Sequence, residues 1–157
     1  MAGALTANNA SFCYPIPSGF RNVSARASYP GTDPVKTALA IEVAGETNTR
    51  DLIFVTSMDL PTNSDNLSDA VIRAALERSL KGGVSGTTSV SALTQRSVAG
   101  RRGFEVDIKF TGGVERRLLL IFSGRHRVSV SCQWREHQPA ILAGCGAVLR
   151  TIQIANP

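Results

Sequence analysis

The sequence predicts an α+β domain: an antiparallel β-sheet of about six to seven strands with two helices packed on it. Three observations carry this. Residues 101–134 contain three strand patterns in succession, separated by glycine turns. Residues 65–81 have helical periodicity and run into Gly82–Gly83. A second helical pattern opens at Gln138–Pro139, directly after the last strand.

SFCYPIPSGFRNVSARASY at 11–29 reads as a short edge strand, a turn at Pro17–Gly19 and an irregular return. Its prolines lack the N–H that an interior strand must donate. PGTDP at 30–34 is a loop. KTALAIEVAG at 36–45 places Leu39, Ile41 and Val43 on one face, and GETNTR closes a hairpin. DLIFVTSM at 51–58 is almost continuously apolar, as a central strand is. In DNLSDAVIRAALERSLK, Asp65 or Asn66 can cap the helix. Leu67, Val71 and Ala74 share a face that Ile72, Leu76 and Leu80 widen, and Arg73, Glu77 and Arg78 face water. A strand at 86–97 precedes the meander. GFEVDIKFT alternates Phe104, Val106, Ile108 and Phe110 against Glu105, Asp107 and Lys109. VERRLLLIFS and RVSVSCQW follow, and the latter turns Val128, Val130, Cys132 and Trp134 one way. In PAILAGCGAVLRTIQI, Ile141, Leu142, Cys145, Val148 and Leu149 form the apolar face. Gly144 and Gly146 weaken this helix by about 1 kcal/mol each relative to Ala but allow close approach to the sheet. TIQI can close as a strand.

The chain of 157 residues, 43% hydrophobic and 18% charged, is of a size and composition for one globular domain. Residues 1–10 read as a flexible leader without the charged and apolar regions of a signal peptide, and 11–157 as a single domain. The longest apolar run, LLLIF at 118–122, is strand length, so no transmembrane segment is expected. The net charge is +5. Between Arg96 and Arg135 stand nine basic and three acidic residues, a local balance of +6. Arg101, Arg102, Arg125 and Arg127, with Arg116 and Arg117, are the candidate binding surface for an acidic partner or an anionic surface. If their strand is regular, Arg116 and Arg117 point to opposite faces. The chain is only 6% aromatic, so the aromatic interleaving expected of single-strand nucleic-acid binders is weak.

SVSCQWREHQPAILAGCG at 129–146 crowds Cys132, Trp134, His137 and Cys145 together. Structural zinc uses four ligands with C-x2-4-C knuckles, and the x4 and x7 spacings here supply none. No nucleophile elbow, phosphate loop or dinucleotide fingerprint occurs, so neither catalytic residues nor a cofactor are assigned. A thiol site using Cys132 or Cys145 with His137 is the weakest reading. Strand alternation turns Cys132 inward and helical phase turns Cys145 inward. Either they form a disulfide, closing a loop of about 14 residues, or they are two buried thiols. Cys13 is left over, or is itself the partner of Cys145.

YPIPSGF at 14–20, the helix at 65–81, RRGFEVDIKF, RLLLIF, RVSVSCQW and GCGAVLRTIQI resemble the PsbP-like α/β/α sandwich family over residues 12–155. The first fits that family's Y-x-x-P-x-G-[FW] segment. Actinobacterial LpqN-type secreted lipoproteins look closest, with their cysteine in the last meander strand and another in the final helix. Their lipobox does not occur in this sequence, so lipid anchoring is not carried over. The family includes extrinsic photosystem subunits, DcrB-type chaperones and Ran-binding import factors. It shares a fold and no single activity, and has no catalytic set to transfer. The resemblance implies a non-enzymatic accessory or binding domain of an exported bacterial envelope protein, taking a protein or lipid-like ligand. The alternative it implies is a cytosolic chaperone or regulator of the DcrB or Ran-binding type.

Overall fold

The computed structural model describes residues 4–6, 11–26, 35–46, 50–82 and 85–155. The strands are β1 (Ala4–Thr6), β2 (Phe12–Pro15), β3 (Phe20–Asn22), β4 (Thr37–Val43), β5 (Leu52–Asp59), β6 (Thr87–Val90), β7 (Thr94–Val98), β8 (Arg101–Phe110), β9 (Glu115–Ser123), β10 (His126–Trp134) and β11 (Gln153–Ile154). The helices are α1 (Asp69–Lys81) and α2 (Gln138–Thr151).

The main sheet runs β3-β4-β5-β10-β9-β8, with β6 and β7 both on the outer edge of β8, and every pairing is antiparallel. β1-β2-β11 form a separate small sheet. The apolar run 52–58 occupies a central position between β4 and β10, where both faces are covered. The hairpin 123–126 sets its register through Gly124, whose positive φ suits a tight turn.

Period two sorts the strand side chains onto two faces. Ile41, Ile53, Val55, Leu119, Ile121, Val128, Val130, Cys132 and Trp134 pack with Ile141, Cys145, Val148 and Ile152 of α2 and its end, and with Phe12 and Tyr14 of β2. On the opposite face Phe104, Val106, Ile108, Leu120 and Phe122 pack under Ile72 and Leu76 of α1. α2 lies closer to the sheet backbone than α1 does.

The structure corrects several expectations. The segment 11–29 is not one edge strand with an irregular return. Its β2 is the middle of the small sheet, and β3 is the edge of the main one. Pro15 and Pro17 stand at and beyond the end of β2, so they remove no interior ladder bond. Ala4–Thr6, within the stretch read as a leader, pairs with β2. The strand expected at 86–97 is two strands. Between them the Ser91 amide bonds the Asp107 carbonyl, the Ser91 hydroxyl accepts from the Asp107 amide, and Leu93 is buried.

The first helix starts at Asp69, capped by the Ser68 hydroxyl, which accepts from the Val71 amide at 3.3 Å. Asp65 and Asn66 belong instead to a preceding 3₁₀ turn capped by Asn63. This phase buries Ile72 and Leu76 and leaves Val71 52% exposed. Arg73 does not face water: its guanidinium lies 5.5 Å from the Phe104 ring centroid and donates to the Leu93 carbonyl. Gly82 ends the helix with right-handed φ −64°, and Gly83 lies outside the described residues, as do residues 30–34 and 47–49.

Only one of the α2 glycines allows close approach. A Cβ on Gly144 would collide with the Phe20 ring and reach Ile53, whereas one on Gly146 would meet only the end of the Arg150 side chain at 3.3 Å. Gly144→Ala is therefore expected to destabilise the protein by about 1–2 kcal/mol through overpacking. Gly146→Ala should be neutral or stabilise by up to about 1 kcal/mol through helix propensity. Urea unfolding of both variants checks the contrast; equal effects would refute it.

Candidate functional site

The junction of β10 with α2 gathers the rare residues singled out in the sequence. Cys132 and Cys145 are joined by a disulfide with Cα atoms 6.0 Å apart, both buried. α2 runs back along the strand that precedes it, so the staple links neighbours in one layer contact. Bonded cysteines are neither thiolate nucleophiles nor metal ligands. Among the described residues no cluster of three or more His, Cys, Asp or Glu is arranged to hold a metal. Cys13 is the free cysteine, half-buried on β2, with its Sγ 3.7 Å from the Gln153 side-chain oxygen.

His137 is the N-terminal cap residue of α2, but its side chain makes no capping bond to the helix. The turn's donors go to Asp51, just before β5. One Asp51 oxygen accepts from the Arg135 amide at 2.5 Å. The other accepts from the His137 amide at 2.9 Å and lies 2.6 Å from His137 Nδ1. The Glu136 amide reaches both at 3.4 Å. The Asp51 side chain is fully buried. Burial alone would raise its pKa. The donors of Arg135, His137 and Glu136 outweigh that and hold it below the ordinary carboxylate value. The same hydrogen bond to Asp51 holds the His137 ring above its ordinary value; partial desolvation opposes this, and Glu46 and Glu136 add to it. His137 Nε2 also lies 3.4 Å from a Glu46 carboxylate oxygen.

Sequence reasoning missed Asp51. Its signal was an acid opening an otherwise apolar central strand, while the second helix lacked a Ser, Thr, Asp or Asn at its start.

The arginines divide. Arg102 is structural: one nitrogen donates to the Leu67 carbonyl at 2.9 Å and to Asp69 at 2.8 Å, and another to the Ser64 carbonyl. It ties the entry of α1 to β8. Arg102 and Arg127 flank Phe122 in one cross-strand row on the α1 face, and Arg101 takes the opposite face. Arg125 is exposed in the hairpin turn and donates to the Pro61 carbonyl at 2.8 Å. Arg101, Arg125 and Arg127 thus share one end of the sheet without sharing a face. Arg116 and Arg117 lie toward the other end on opposite faces. Arg116 bonds Gln133 and sits 4.9 Å from the Phe110 ring centroid. Arg117 grips Asp107 in a two-bond fork at 2.8 and 2.9 Å, which holds that carboxylate below its usual range.

Denatured, unreduced protein should show one free thiol, from Cys13, and three after reduction. Reduction should lower stability by about 3 kcal/mol. Asp51→Ala should cost about 2–4 kcal/mol, because three backbone donors and an imidazole lose their acceptor at a buried site. The pH dependence has two limbs. The depressed Asp51 contributes stability above the ordinary carboxyl pKa, lost as pH falls through its folded value. The raised His137 contributes stability below the ordinary histidine pKa, lost as pH rises through its folded value. The contribution is therefore greatest between the two, in weak acid. Melting curves against pH should show both limbs in the native protein and smaller ones in Asp51→Ala, where Asp107 still supports an acid limb and Glu46 and Glu136 still raise His137.

Comparison with known proteins places this architecture. No family model matches the sequence, and no curated protein matches it. Solved structures do. The chain is similar to LpqN of Mycobacterium tuberculosis, described as involved in cell envelope biogenesis: TM-score 0.60, 13% identity, 93% of this chain and 83% of that one. It is similar to the cyanobacterial PsbP protein CyanoP of Synechocystis: TM-score 0.54, 10% identity, 97% and 91%. It is similar to the Ran-binding protein Mog1p of Saccharomyces cerevisiae: TM-score 0.51, 15% identity, 98% and 95%. It also spans only half of a longer Bacteroides thetaiotaomicron protein, with TM-score 0.59 and 12% identity. At such identities the likeness is one of fold, the sandwich seen in CyanoP and LpqN.

Proposed function

We propose that this protein is a non-enzymatic accessory or binding domain of the bacterial cell envelope, exported to an oxidising compartment. The observation that carries the reading is the use made of its rare side chains. Cys132 and Cys145 are spent on a buried staple, and His137 on the start of α2. Buried disulfides persist where thiols are not kept reduced. The fold shared with LpqN supports the envelope setting. No helix among the described residues is long and apolar enough to cross a membrane.

The ligand on this reading is a protein or a lipid-like molecule, met at the basic end of the sheet. Arg125 is the leading contact, with Arg101 and Arg127 beside it, and Arg102 is withdrawn into the scaffold. A cytosolic regulator is the second reading, and the fold match to Ran-binding Mog1p is what favours it.

Vesicles containing phosphatidylglycerol test the charged end. Binding should weaken with salt, and the double variant Arg101→Glu/Arg125→Glu should lose about tenfold in affinity at low salt. An unchanged affinity in a folded double variant would reduce the patch to surface solvation. Native affinity capture with mass spectrometry of both proteins and lipids identifies the physiological ligand.

A further inference from the structure

We propose that His137 is a pH-dependent latch that ties the end of β4 to the start of α2, closed while the imidazole carries both protons. The ring stands between two carboxylates at either side of the β4–β5 connection, Glu46 after β4 and Asp51 just before β5. Nδ1 is 2.6 Å from Asp51, and Nε2 is 3.4 Å from Glu46. A neutral imidazole has one N–H and one lone pair, so it can donate to only one of them; the imidazolium donates to both.

Which link is lost is decided by burial. Asp51 is fully buried and cannot turn to water, so a neutral His137 keeps its proton on Nδ1. Nε2 then presents a lone pair to the Glu46 carboxylate, which is 38% exposed and free to turn outward. The Glu46 bridge opens while the Asp51 bond stays.

The groups around the ring set the direction. Asp51, Glu46 and Glu136 all act on it as carboxylates. Arg50 and Arg135 adjoin Asp51 and the turn in sequence, and Arg21 of β3 donates to the Glu46 carbonyl at 2.8 Å. That bond, with the Ala44 amide on the Gly19 carbonyl at 2.8 Å, holds the hairpin end when the latch is open. Opening is thus a local loosening next to α2, and the fold does not come apart. The elevated proton affinity of His137 agrees with this arrangement.

The test is a pH titration of the folded protein by NMR, following the His137 ring and the hydrogen exchange of the Ala44 and Glu46 amides. His126→Gln assigns the remaining ring signal. Exchange, corrected for its intrinsic pH dependence, should rise roughly two- to fivefold as His137 loses its proton. In Glu46→Gln the step should vanish and the His137 midpoint should fall. A glutamine can accept from the protonated Nε2 and donate to the neutral one, so its contact survives at both pH values. A flat exchange profile across the His137 midpoint would overturn the latch. So would a step that persists unchanged in Glu46→Gln. Circular dichroism of the variant at both pH values separates loss of the latch from loss of fold.

Discussion

One carboxylate, Asp51, fixes how the second helix meets the sheet. A turn leaving a strand and entering a helix leaves backbone donors without partners. Here neither Pro139 nor His137 supplies the missing acceptor. Asp51 reaches across from the adjoining strand β5 and takes the donors of residues 135–137. Its negative charge also lies near the N-terminus of α2, where the helix dipole favours it. Fixing the first turn fixes the rotation of the helix. Ile141, Cys145 and Val148 then face the sheet, Cys145 meets Cys132, and Gly144 comes over Phe20. The end of α2 in turn delivers β11 to β2, and so anchors the small sheet beside it.

The two helices are held by different physics. α2 lies close, with a glycine at its contact, a covalent link and a buried acceptor at its start. α1 stands on a thicker layer of Phe and Leu side chains and is tied mainly through polar side chains near its first turns. Arg102 binds the segment before it, Gln95 donates to Asp69, and Arg73 bonds the Leu93 carbonyl from above Phe104. A guanidinium used this way contributes hydrogen bonds and packing as well as charge, so reading it as surface charge overstates the free positive patch.

What was legible in the sequence follows from which signals are local. Alternation along 103–111 and 127–134 specifies both strands and their inward sides, because period two leaves no freedom of face once one side is apolar. Helical phase did the same for Cys145. The first helix was harder. Several of its residues could cap it, and of the wide apolar face that the periodicity offers the sheet covers Ile72 and Leu76 while Val71 stays exposed. Asp51 was invisible to local reading, since its partners lie 84 to 86 positions away and only the β5–β10 register brings them within reach. The sorting of the arginines had the same cause: whether Arg102 meets solvent depends on where the loop before α1 crosses β8.

The splitting of one expected strand into β6 and β7 also bears on how the molecule meets its own kind. β8 has ten residues, and a single strand along it would present a long, straight margin of unpaired amides and carbonyls. Two strands of four and five residues stand there instead, with an irregular register in the first and a kink at Ser91–Leu93 between them. An incoming strand finds no run long enough to zip along. That edge of the main sheet is thereby cut into short pieces that offer little template for a further strand, and Arg96 of β7 is paired to Glu105.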